Sequence, residues 1–154
     1  MSALYERFLR EYYVFRHPEL SPGAPTVPWD LDQPNPFSGQ LPEMRTDVTL
    51  RSGGRTLIID AKYYGQTMQV GRWGKATIHS GNLYQVLTYV KNEDRARDGS
   101  VSGLLLYART DAEAQPDLDV VVQGNRIGAR TLDLNQSWEQ IAGQLEDVRR
   151  WLEP

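Results

Sequence analysis

The run Ile58-Ile59-Asp60-Ala61-Lys62 places an aspartate and a lysine two residues apart at the end of an apolar segment. Side chains alternate across a strand, so Asp60 and Lys62 share one face, about 7 Å apart along the backbone, while Ile59 and Ala61 point the other way. A second aspartate, Asp47, stands at the start of Thr46 to Leu50, and Arg51-Ser52-Gly53-Gly54-Arg55 joins this segment to Thr56–Tyr64 as a hairpin loop would. Pairing of the two strands brings Asp47 toward Asp60 across the ladder. Two carboxylates and a lysine at one spot suit phosphodiester hydrolysis. Magnesium prefers carboxylate oxygens and keeps several waters, one of which can attack; manganese is a possible substitute. Lys62 can orient that water, accept its proton, or as an ammonium stabilise charge developing on phosphorus. The Ala61 carbonyl is a further candidate metal ligand. A lone D-x-K tripeptide also fits a solvated charge pattern on an edge strand. Against that stand the apolar run leading into Asp60 and the aspartate in each segment of one hairpin.

These residues need elements to hold them. Ala3 to Phe15 places Leu4, Phe8, Leu9, Tyr12 and Tyr13 close to helical spacing, with Ser2 as a cap and His17-Pro18 as a stop. Glu6 on this helix is a candidate third metal carboxylate and catalytic residue; a solvent-facing glutamate is the alternative. Residues 18–40 carry six prolines and are expected to form a long loop without regular structure. Residues 65–75 are polar and punctuated by glycine, which predicts another irregular stretch. A second helix follows from a Ser80 cap, with Leu83, Val86, Leu87 and Val90 as its apolar face. Asn82, Gln85 and Tyr89 share the adjacent polar face and are within reach of a cleft or a DNA backbone. Val101–Ala108 and Leu118–Gln123 read as buried strands, with Thr131–Leu134 a further short one. A last helix starts near Ser137 and carries the stripe Trp138, Ile141, Leu145, Val148 and Leu152. The order helix, strand, strand, helix, strand, strand, helix predicts an α/β (α+β) domain, a mixed sheet flanked by helices.

Length and composition agree. The 154 residues suit one domain, and 40% hydrophobic with 24% charged residues suits a folded globule. Cysteine is absent and only His17 and His79 are present, which excludes thiolate and histidine-rich metal sites and leaves oxygen ligands. No apolar run approaches a membrane span and the N-terminus does not read as a signal peptide, so the expected location is the cytoplasm. A net charge of −3 argues against indiscriminate nucleic-acid binding but allows a local basic groove. Arg45, Tyr64, Arg72 and Lys75 lie in sequence around the proposed centre and are candidate DNA contacts, together with Asn82 and Tyr89.

Three linked motifs, Leu41-Pro-Glu-Met-Arg-Thr-Asp47, Ile58-Ile-Asp60-Ala-Lys62-Tyr-Tyr64 and Gly81-Asn-Leu-Tyr-Gln85-Val-Leu-Thr-Tyr89, resemble the McrC family. These are nuclease subunits of modification-dependent restriction systems of the McrBC type. The resemblance implies a PD-(D/E)xK restriction-endonuclease-like core over residues 1–154, with Asp47, Asp60 and Lys62 in the catalytic motif. Gln85 and Tyr89 match its Q-x-x-x-Y helix element, and Glu6 matches the N-terminal helical glutamate. It implies a DNA endonuclease acting in restriction of 5-methylcytosine-containing DNA, with an AAA+ GTPase of the McrB type as partner on a separate chain. No G-x-x-x-x-G-K-[ST] motif occurs here, so nucleotide binding is assigned to that partner. Double-strand cleavage would require two active sites, hence a homodimer. The usual McrC region ahead of the nuclease domain is not seen before the Glu6 helix, which leaves open a fragment, a split gene product or a stand-alone nuclease. Two other functions fit the same residues: a RecB-like exonuclease of repair or defence, and a catalytically silent module that docks the motor protein.

Overall fold

The computed structural model describes residues 2–63, 68–71 and 74–154. Helix α1 (Ser2–Arg16) ends at His17-Pro18, and proline then starts a 3₁₀ turn at Pro18–Leu20. Short strands β1 (Thr26–Val27) and β2 (Met44–Arg45) pair antiparallel, and Gly23 bridges to Thr49. The proline-rich stretch is therefore not wholly irregular, as the sequence suggests: prolines flank a two-residue pairing that clips this stretch to the next hairpin.

That hairpin is β3 (Val48–Ser52) and β4 (Arg55–Lys62). Its turn is tighter than the expected five-residue loop. Gly53 and Gly54 both have positive φ, 57° and 79°, the conformation that lets two residues reverse the chain in register with strand twist. A small antiparallel pair, β5 (Met68–Val70) and β6 (Ala76–Ile78), occupies part of the stretch expected to be irregular. Helix α2 (Ser80–Glu93), β7 (Val101–Ala108), β8 (Leu118–Val122), β9 (Asn125–Leu132) and α3 (Trp138–Arg149) complete the order. Strand β9 begins well before the expected Thr131. Among the described residues the main sheet runs β3-β4-β7-β9-β8, with β4, β7 and β9 parallel and β3 and β8 antiparallel at the edges.

The sheet separates two cores. Ile59 and Ala61 face α1 and α3, packing with Tyr5, Leu9, Tyr13, Leu104, Leu106, Leu145 and Trp151. Ile58 faces α2, with Val86, Tyr89, Val90, Leu105 and Ile127. The strand alternation expected for Ile58 to Lys62 is thus realised, with Asp60 and Lys62 on the α2 side. Ser137 caps α3 in a reciprocal box with Gln140. No helix among the described residues is long and apolar enough to cross a membrane.

Gly103 sets how close α2 lies to the sheet. A Cβ there would stand 2.6 Å from Val90 Cγ2 and 2.8 Å from Val86 Cγ2, closer than real carbon atoms approach. The Gly103→Ala variant is expected to lose about 1–3 kcal/mol through overpacking, seen as a lower urea midpoint with an unchanged slope. An unchanged midpoint would mean that α2 moves outward without cost.

Candidate active site

The β3–β4 ladder ends at the pair Val48 and Ile59. Asp47 stands one residue beyond it, and there its side chain takes over from the main chain: Oδ2 accepts the Ala61 N–H at 2.8 Å. On its other edge β4 is paired with β7, with Asp60 beside Leu105 and Lys62 beside Tyr107. Enclosed in this way, Asp60 is only 4% exposed and Lys62 only 8%.

Lys62 Nζ lies 3.1 Å from Asp60 Oδ2 and donates to Gln85 Oε1 at 3.0 Å. Gln85 Nε2 in turn donates to the Tyr89 hydroxyl at 3.0 Å. An ammonium can only donate, so the Gln85 amide presents its oxygen to Lys62 and its NH₂ to Tyr89. Helical spacing of four residues lets one face of α2 supply both groups. Asp60 Oδ2 is fully buried and, although the lysine is near, receives no hydrogen bond of proper geometry among the described residues.

Burial pushes the Asp47 carboxyl up to about 7, and the hydrogen bond and negative charge of Asp60 push the same way; the Ala61 N–H and Lys62 oppose them. Two carboxylates this close do not readily hold two charges without a cation. Glu6 also lies within the field of Asp47: partial burial, then the Asp47 charge, raises its carboxyl, while Arg10 and Lys62 lower it. No group of three His, Cys, Asp or Glu residues placed to hold a metal ion occurs among the described residues. The buried, unfilled oxygen of Asp60 beside Asp47 nevertheless fits a hard cation that takes few carboxylates and retains water, as Mg²⁺ does.

Asp47, Asp60, Lys62 and Gln85 come together, with Glu6 at the margin. Tyr89, considered for DNA contact, is turned inward at 9% exposure with its hydroxyl on Gln85. Asn82 donates to the Tyr107 hydroxyl at 3.2 Å. Arg45 is exposed on β2, and Lys75 is exposed just before β6. Tyr64 and Arg72 lie outside the described residues. Sequence reasoning missed Arg10, whose Nη1 donates to the Asp47 carbonyl at 3.3 Å. The available signal was its place four residues after Glu6, on the same face of α1.

A five-stranded mixed sheet flanked by helices, with this cluster at the end of an inner strand, is consistent with a PD-(D/E)xK-like core. No family model matches the chain. Over 152 residues, 96% of its length, it is 35% identical to the type IV methyl-directed restriction enzyme EcoKMcrBC of Escherichia coli (strain K12), and it spans 42% of that protein's length. This likeness agrees with the resemblance to the McrC family that the three sequence motifs carry.

The raised Asp47 carboxyl gives a test of the metal-free site. Between its unfolded value near 4 and its folded value of about 7, the folded protein holds a proton that the unfolded chain has released. Stability therefore falls as pH rises through this window. Melting in EDTA should show a midpoint declining from about pH 5 to pH 8, and Asp47→Asn should flatten the decline. The lowered carboxylates Glu19, Asp98, Asp119, Asp133 and Glu146 titrate below that range. An identical slope in both proteins would refute the shared-charge account.

Proposed function

We propose that this chain is the nuclease part of a methyl-directed restriction system, a metal-dependent DNA endonuclease that hydrolyses phosphodiester bonds. The observation that carries this reading is the unfilled buried oxygen of Asp60, set between Asp47 and a lysine fixed by Gln85. Lys62 offsets the charge of that oxygen as an ion pair, yet no hydrogen bond of proper geometry reaches it among the described residues, and a buried polar atom left so is costly unless a further ligand takes it up. The likeness to a restriction enzyme supplies the substrate class.

Asp47, Asp60 and the Ala61 carbonyl would hold Mg²⁺, with Mn²⁺ as a substitute and Glu6 as a further carboxylate at the margin. When bound, the ion supplies Lewis-acid stabilisation of the phosphoryl oxygens and lowers the pKa of water. Lys62 donates to Gln85 and pairs with Asp60, so it acts as an ammonium, stabilising negative charge as the attacking water adds to phosphorus. Gln85 and Tyr89 position that ammonium. Arg45 and Lys75, with Tyr64, Arg72 and Asn82, are the candidate contacts along the DNA. An AAA+ GTPase on another chain would select modified DNA, and pairing of two copies would cut both strands. The cytoplasm is the matching compartment.

Circular and linear DNA incubated with the protein in Mg²⁺ or Mn²⁺ tests the reading, with a McrB-type partner, GTP and methylated DNA added if the chain alone is silent. Circles should be nicked or cut, and Asp60→Ala or Lys62→Ala should lower the rate by roughly 10²–10³-fold. Gln85→Ala should lower it about 10–100-fold. Attack on linear ends alone would favour an exonuclease. Inactivity in every arm, with no Mg²⁺ heat in calorimetry, would leave a docking module.

A further inference from the structure

Beside the carboxylate pair lies a cavity of about 500 Å³ lined by Glu6, Arg10, Ala24, Arg45, Thr46 and Asp47. Its two arginines differ from six others in the chain. Arg51, Arg97, Arg126, Arg130, Arg149 and Arg150 each face a carboxylate within ion-pair distance. Neither Arg10 nor Arg45 does so among the described residues. Arg10 donates through one Nη to the Asp47 carbonyl at 3.3 Å, and among the described residues no other hydrogen bond engages its guanidinium. Arg45 is carried into the lining by β2, whose pairing with β1 holds that strand in place. The Thr46 hydroxyl is engaged by Pro25 and Thr49 and serves only as wall.

Two guanidiniums without carboxylate partners, opening into one cavity beside the proposed catalytic carboxylates, match the needs of a phosphodiester anion. The planar fork of arginine donates to two oxygens of one phosphate at once. The Glu6 and Asp47 carboxylates in the same lining would repel an anion, which favours its seating on the guanidiniums themselves.

We propose that this cavity is a phosphate subsite, in which Arg10 and Arg45 hold a backbone phosphate of DNA neighbouring the one under attack at Asp47 and Asp60. The inference rests on the nuclease reading above and adds to it a register-setting contact from α1. Arg10 is a positioning residue here.

Fluorescence anisotropy of a labelled duplex, measured in EDTA over about 50–200 mM salt, separates phosphate contacts from packing effects. Arg10→Ala and Arg45→Ala should each weaken binding about tenfold, equally for unrelated duplex sequences, and reduce the salt slope by about one. Arg10→Lys should restore much of the slope, because a point charge still reaches the anion. Arg7→Ala, an exposed α1 residue outside the cavity lining, should leave the slope unchanged. Unchanged slopes in both alanine variants, an equal fall in Arg7→Ala, or no duplex binding by the wild type would each overturn the subsite. Cleavage with unchanged slopes leaves the nuclease reading standing without it. Arginine-dependent slopes in a protein that never cleaves would leave the subsite standing and sink the nuclease.

Discussion

The constraint behind this fold is that an inner strand, hydrogen-bonded on both edges, ends with a carboxylate and an ammonium buried on one face. Asp60 and Lys62 cannot reach water as they would on an exposed edge, and a buried charge left alone costs about 3–5 kcal/mol. Each is tolerable only because the other lies 3.1 Å away and Gln85 takes up part of the ammonium's donor capacity. The neighbouring elements follow from this. Strand β3 stops at Val48, so that Asp47 can offer its side chain, rather than its main chain, to Ala61. Helix α2 lies tight on β7 over Gly103, so that Gln85 reaches the lysine.

The two faces of the sheet divide the work. On the face of α1 and α3, tyrosines stitch helices to strands and to each other: Tyr5 donates to the Leu106 carbonyl and Tyr13 to the Leu145 carbonyl. A phenol that buries its ring and still finds an acceptor adds apolar contact without leaving a donor unsatisfied. This face is an ordinary core. The same helix α1, however, extends Glu6 and Arg10 toward the end of the sheet where Asp47 sits, so a stabilising element also places charges at the site.

How much of this could be read from the chain depends on which signals are local. The glycine pair between two β-branched runs, the alternation in Ile58 to Lys62, the four-residue step from Gln85 to Tyr89 and the start of the last helix near Ser137 are all local, and each appears where expected. The sequence signal for strand β9 is confined to its end near Thr131 because Arg126, Gly128 and Arg130 interrupt its apolar pattern. Its partners explain the interruption: Arg126 and Arg130 pair with Asp119 and Asp117 on the edge side, Arg126 stacks over Trp151 at 3.7 Å, and a Cβ at Gly128 would stand 2.5 Å from that indole. Those are long-range contacts with no trace in the spacing of neighbours. The β1–β2 pairing was hidden for the same reason, since its two strands are separated by a proline-rich loop. Tyr89 was placed on the right helical face, but its depth was set by the sheet beneath it.

The net charge of −3 conceals a spatial division. Arginines on β9, on α3 and in the turn after α2 are spent on nearby carboxylates, and exposed pairs of that kind add little stability. Arg10 and Arg45 beside Asp47 have no such partner among the described residues, and a cleft with low-dielectric walls focuses the field they set up. An acidic chain can in this way present a local positive rim to a polyanion while keeping carboxylates at the centre of the same cleft. The proposed chemistry needs both signs of charge within one strand end, and the total over the chain says nothing about that arrangement.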